Sequence, residues 1–102
     1  MKNRRFKTEG LLPQVRSCLE TGDYLDTFHS NLRQRERMIS RTEIIQVLRS
    51  GWHEKAKDRY DKHYQAWNYA VRGKTIDDRE LRIIISFEGV RLLIVTAIEL
   101  GA

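Results

Sequence analysis

Three stretches near the C-terminal end decide the fold: Trp67-Asn68-Tyr69-Ala70-Val71-Arg72-Gly73, Leu81-Arg82-Ile83-Ile84-Ile85-Ser86-Phe87 and Leu92-Leu93-Ile94-Val95-Thr96-Ala97-Ile98. In the first two, the large apolar residues recur at every second position, the period of a half-buried strand. The third is a short, continuous β-rich run. Gly73–Asp78 and Glu88-Gly89 supply polar reversals between them. Connections this short join neighbouring antiparallel strands, so residues 65–98 read as a β-meander.

Upstream of this region the period changes to 3.6. Leu11, Leu12, Val15, Cys18 and Leu19 recur at helical spacing, with Pro13 in the first turn and Thr21-Gly22 as the stop. Asp23 offers an N-cap for a second helix over Tyr24–Arg37, whose Leu25, Phe28 and Leu32 keep the 3-4 rhythm. Ser40-Arg41-Thr42-Glu43 is a capping box opening a third helix, Arg41–Ser50, closed by Gly51. The expected class is α+β: N-terminal helices packed on a three-stranded, or slightly larger, antiparallel sheet as a two-layer sandwich. Residues 1–102 form one domain, with a flexible basic arm (1–10), a helical part (11–51), a polar connection (52–64) and the meander.

Composition narrows the function classes. With 102 residues, 40% hydrophobic and 32% charged, the chain suits one small globular core and excludes collagen-like or low-complexity readings. No segment has the roughly 18 consecutive apolar residues of a membrane span, and no apolar core of a signal peptide follows the basic Met1–Lys7. A cytoplasmic protein without a membrane partner is expected. Cys18 is the only cysteine, which excludes an internal disulfide and a cysteine-based zinc site; its apolar neighbours mark it as a buried small hydrophobe. The net charge is +5, and residues 1–51 carry 10 basic against 6 acidic groups. That excess suits a polyanionic partner, RNA first.

The motif that rises above composition is His29-x3-Arg33-x3-Arg37. On a helix, spacing of four sets successive side chains on one face, drifting by only about 40° per step. Guanidiniums hold phosphate oxygens bidentately, and an imidazole transfers protons near neutral pH. His29, Arg33 and Arg37 are therefore the candidate catalytic group, the alternative being a solvated face paired to Glu36 or Asp26. Arg35, Arg72, Arg82 and Lys74 are the candidate RNA-binding cations. Arg72 and Arg82 fall out of register with the apolar set, so with Asn68 and Ser86 they belong to the opposite sheet face. Tyr60, Tyr64, Trp67 and Tyr69 alternate with basic residues as base-stacking platforms do, although Trp67 and Tyr69 also fit a strand's core side. His53 and His63 do not have metal-ligand spacing, and no metal or cofactor is expected.

The string from Phe28-His29 through Arg33, Arg37-Met38-Ile39-Ser40, Glu43, Val47-Leu48 and Gly51 resembles a small bacterial domain of unknown function, DUF4258. Trp67–Gly73, Leu81–Ile85 and Leu93–Thr96 resemble its later signature, so the likeness covers roughly residues 25–98. That family is similar to the RelE- and BrnT-like toxins of toxin–antitoxin modules. The resemblance implies a RelE-like sandwich and a metal-independent endoribonuclease acting on RNA, free or ribosome-associated, with an acidic antitoxin-type partner. A non-catalytic module binding protein or nucleic acid is the alternative function.

Overall fold

The computed structural model describes residues 6–27 and 39–101 of the chain. Helix α1 (Leu11–Thr21) and helix α2 (Arg41–Ser50) pack on one face of a six-stranded sheet. The strands are β1 (Tyr24–Asp26), β2 (Trp52–His53), β3 (Arg59–Asp61), β4 (Ala66–Lys74), β5 (Glu80–Glu88) and β6 (Arg91–Leu100). Their order is β1-β6-β5-β4-β2, with β3 also paired to β4. The class is α+β, with a sheet larger than three strands. The β4–β5–β6 meander is antiparallel as the alternation requires, and among the described residues β1 alone runs parallel to its neighbour, β6.

Register explains why the helices sit where they do. Tyr69 faces Ile85 and Val71 faces Ile83, while Ile83 in turn faces Ala97, so one sheet face is apolar across three strands. Leu11, Val15, Cys18 and Leu19 of α1 and Ile44, Val47 and Leu48 of α2 complete the core against it. Cys18 is buried, as its neighbours suggest; its thiol donates to the Val90 carbonyl, and desolvation raises its pKa. A thiol held in that form is a poor nucleophile.

The local signals at the helix ends hold. Gly22 closes α1 in the left-handed conformation, at φ 79°. Ser40 Oγ accepts the Glu43 amide at 3.1 Å while Glu43 Oε1 accepts the Ser40 amide at 2.9 Å, the reciprocal capping box. Glu43 Oε2 also holds Arg79, at 2.6 Å, and Arg79 reaches Glu99 at 2.8 Å. One guanidinium thereby ties the start of α2 to the β4–β5 connection and to β6.

Two expectations are corrected. Tyr24–Asp26, expected to open a helix, is strand β1, in register with Leu92–Ile94. The left-handed Gly22 turns the chain back on α1, Asp23 O accepts the Leu92 amide, and Thr27 gives both its amide and its hydroxyl to Ile94 O. Long-range pairing with the edge of β6 outweighs the helical spacing of Leu25. The rest of that expected helix, residues 28–38, lies outside the described residues. The polar connection at 52–64 is the second case, because it contains β2, a 3-10 turn (Lys55–Lys57) and β3.

β2 and β3 are two halves of one interrupted edge strand. Glu54 N donates to Ala70 O at 2.8 Å, and the Ala70 amide then turns to the Asp58 carboxylate, Oδ1, at 3.0 Å. A side chain thus replaces the missing backbone carbonyl across the interruption, which satisfies a buried amide. Gly51 meets this region from α2. Its backbone is extended, not left-handed, and what requires glycine is space: a Cβ would lie 2.5 Å from Arg72 O and 2.6 Å from Val47 O.

Candidate nucleic-acid interface

The sequence-derived candidates separate into two groups. His29, Arg33, Arg35 and Arg37 lie outside the described residues. Arg72 and Arg82 are directly opposite each other across β4 and β5, on the face away from the helices, as the alternation predicts. They do not stand there as unpaired cations. Glu54, at the end of β2, reaches between them: Arg82 Nε donates to Oε1 at 2.7 Å, and Arg82 Nη2 and Arg72 Nη1 each donate to Oε2 at 3.1 Å. Arg72 Nε also holds Glu80 at 2.8 Å. The hydrogen bonds from Arg82, then those from Arg72, keep the buried Glu54 carboxyl below the usual carboxylate range. Two guanidiniums against two carboxylates make this cluster locally neutral, so its first role is to pin the interrupted edge strand to the sheet. Lys74 is exposed and pairs with Asp78 at 3.5 Å. Ser86, expected on a polar open face, is buried and donates its hydroxyl to Trp67 O.

A different set of residues converges at the edge of β4 nearest the N-terminal segment. Asp58 follows the 3-10 turn, and its side chain is only 1% exposed. Besides the Ala70 amide it receives His53 Nε2, 2.9 Å from Oδ2, and Lys7 Nζ, 2.7 Å from the same oxygen. The His53 ring stands edge-on to Tyr69 at 5.9 Å, and Tyr69 Oη accepts the amide of Thr8 at 2.7 Å. Lys7 and Thr8, in the segment expected to be a loose arm, are thereby fastened across β4. Between this segment, the start of α1 and the sheet edge runs an open groove lined by Phe6, Lys7, Pro13, His53, Lys55 and Trp67. Its volume of about 1020 Å³ is ample for a nucleotide.

The chemistry of this groove follows from the contacts. A carboxylate can only accept, so the His53 nitrogen beside Asp58, Nε2, carries the ring proton. The other nitrogen, Nδ1, then presents a lone pair when the ring is neutral, and it has no hydrogen-bond partner among the described residues. An oriented imidazole with a basic nitrogen stands beside the cations Lys7 and Lys55. Among the described residues no cluster of three or more His, Cys, Asp or Glu side chains could hold a metal ion.

Sequence reasoning missed this site. The spacing of His53 from His63 carries no signal, whereas the partner that matters is Asp58, five residues on. The visible signal was a histidine and an aspartate flanking a short polar run.

The chain belongs to the family described as domain of unknown function (DUF4258), whose sequence model matches residues 27–99. No curated protein and no solved structure matches it. The matched range holds His29, Arg33, Arg37, His53, Asp58, strands β2 to β5 and all but the last residue of β6, and leaves Lys7, α1 and β1 outside. No helix among the described residues is long and apolar enough to cross a membrane.

Proposed function

We propose that this chain binds RNA in the groove beside His53 and cleaves it without a metal ion, as a toxin-like endoribonuclease acting in the cytoplasm. The observation that carries this reading is the His53–Asp58 pair, 2.9 Å apart on the wall of an open groove rimmed by Lys7 and Lys55. Metal-independent cleavage needs a base for the ribose 2′-hydroxyl, cations for the phosphorane, and an acid for the leaving oxygen. His53 Nδ1 suits the first task, and the protonated ring, steadied by Asp58, suits the last. Lys7 and Lys55 are the cations in reach of a phosphate held there. The sequence offers a second acid–base candidate in His29, four residues before Arg33 and eight before Arg37.

The likeness to RelE- and BrnT-like toxins supports the reaction class and a RelE-like arrangement of the sandwich. It also supports a protein antagonist; with a net charge of +5, an acidic antitoxin-type partner is complementary. Expression from an inducible promoter, with growth followed, tests the reading. Wild type should arrest growth, a co-expressed acidic neighbour should relieve the arrest, and His53→Gln should abolish it at unchanged protein level. Arrest that survives His53→Gln but not His29→Gln would move the chemistry to the His29 motif. Harmless expression of the wild type would favour the non-catalytic module.

A further inference from the structure

The four aromatic residues that read as a stacking series have distinct fates in the fold. Tyr69 is buried and Tyr64 is exposed on the polar β3–β4 connection. Tyr60 and Trp67 are paired across β3 and β4, with ring centroids 5.5 Å apart at 68°. That edge-on contact steadies the indole, and Trp67 lines the groove beside His53 and Lys7. Over its ring stands the ammonium of Lys7, 4.9 Å from the centroid, the same ammonium that holds Asp58.

A lysine over an indole is a replaceable contact. Lys7 is 38% exposed, its chain is flexible, and a partly hydrated cation–π pair is weaker than a nucleobase stacked on tryptophan. Asp58 keeps the Ala70 amide and His53 if the lysine leaves, so releasing Lys7 does not leave that carboxylate unpaired. A phosphate brought close is a competing anion for the released ammonium.

We propose that Trp67 is the platform for one unpaired nucleobase, and that Lys7 swings from the indole and Asp58 to the phosphate next to that base. The ligand class is therefore single-stranded RNA. A paired base in an A-form duplex is already stacked on both faces and has none to offer. The inference rests on the reading that the groove binds RNA, and adds which form of RNA it takes. Lys7 lies outside the residues matched by the family, so this exchange belongs to the chain's own N-terminal segment.

The test uses the full chain carrying Trp52→Phe, which leaves Trp67 as its only tryptophan. A short 2′-O-methyl RNA, which cannot undergo attack by its own 2′-hydroxyl, is titrated as a single strand and as an annealed duplex. Emission of Trp67 and anisotropy of a labelled strand are recorded together. Single strand should quench Trp67 and bind at least about ten-fold tighter than duplex, and Trp67→Leu should lose about ten-fold while Trp67→Phe retains most of the affinity. Lys7→Met should weaken binding and flatten its salt dependence by about one phosphate contact. Should Trp67→Leu fail to fold, the quench and the phenylalanine variant still decide the matter. Binding with unchanged Trp67 emission, or equal affinity for duplex, overturns the platform and leaves the RNA reading standing. No binding of either form overturns both.

Discussion

Replacing Gly51 by alanine probes the junction on which both the core and the edge strand depend. The backbone at Gly51, with φ −82°, suits any residue, so the cost comes from contact alone. The added Cβ would meet Arg72 O at 2.5 Å and Val47 O at 2.6 Å, both backbone atoms that no rotamer change can move. Restoring the shorter contact to an ordinary 3.4 Å requires the end of α2 to move by about 0.9 Å. The backbone of Gly73 passes close by as well, since a Cβ built there would stand 2.9 Å from Gly51 Cα, so the neighbourhood has little room to give. A gap of that size forfeits about a quarter to a half of the dispersion attraction of the atoms it separates, here the fully buried Val47 and Leu48 and the strand beneath them.

Overpacking of this kind costs about 1–3 kcal/mol. Gly51 N also donates to Val47 O, and Gly51 O accepts from Arg16, and disturbing such bonds adds about 1 kcal/mol. A total of about 3 kcal/mol corresponds to a fall of about 12–24 °C in Tm for a domain of this size. Urea unfolding followed by circular dichroism measures it, with Gly22→Ala as the control. Gly22 has open space around it and a φ of 79°, so alanine there should cost only about 1 kcal/mol, through backbone strain. A Gly51→Ala protein within about 0.5 kcal/mol of wild type, or less affected than Gly22→Ala, would refute the close-contact reasoning.

Other perturbations have equally definite outcomes. Ser40→Ala removes the acceptor for the Glu43 amide and should cost about 1 kcal/mol in denaturant melts; an unchanged midpoint would contradict the capping box. The Glu43 carboxyl, held low chiefly by the Ser40 amide, and that of Glu54, held low chiefly by Arg82, both titrate below their ordinary 4.5 in the folded state. Their stabilisation is complete above that pH and fades as acid protonates them, so Tm should fall on acidification below 4.5, and less steeply in Glu54→Gln; a flat or rising Tm in the wild type would contradict it. RNA affinity should fall steeply between about 50 and 200 mM salt, as for any site that displaces counterions; a flat profile would remove the electrostatic argument.

How much the sequence discloses depends on the distance over which each element is decided. The meander, α1 and α2 are set by neighbours a few residues away, so alternation, the Ser40–Glu43 box and Gly22 are visible directly. β1 is set by β6, nearly seventy residues downstream, and the helical spacing of Leu25 argues the wrong way. β2 and β3 are two and three residues long, too short to show a period, and Asp58 supplies a hydrogen bond that a propensity reading assigns to backbone. Gly51 was legible as a stop, but the reason was a strand passing beside it. The same division holds for the chemistry. Alternation places Arg72 and Arg82 side by side, yet Glu54, 18 and 28 residues away, decides that they are neutralised. His53 and Asp58 become a pair only once the edge of β4 is formed, and Lys7 joins them from outside the residues the family shares.

We propose His53, oriented by Asp58, as the group that transfers protons to and from RNA. End-labelled RNA incubated with the purified chain in EDTA, and again with ribosomes, tests it most directly when the cleaved ends are identified. The fragments should end in 2′,3′-cyclic phosphate, and His53→Gln should lose about a hundred-fold or more in rate at unchanged stability. Equal cleavage by wild type and His53→Gln, or intact RNA in every reaction, would contradict it.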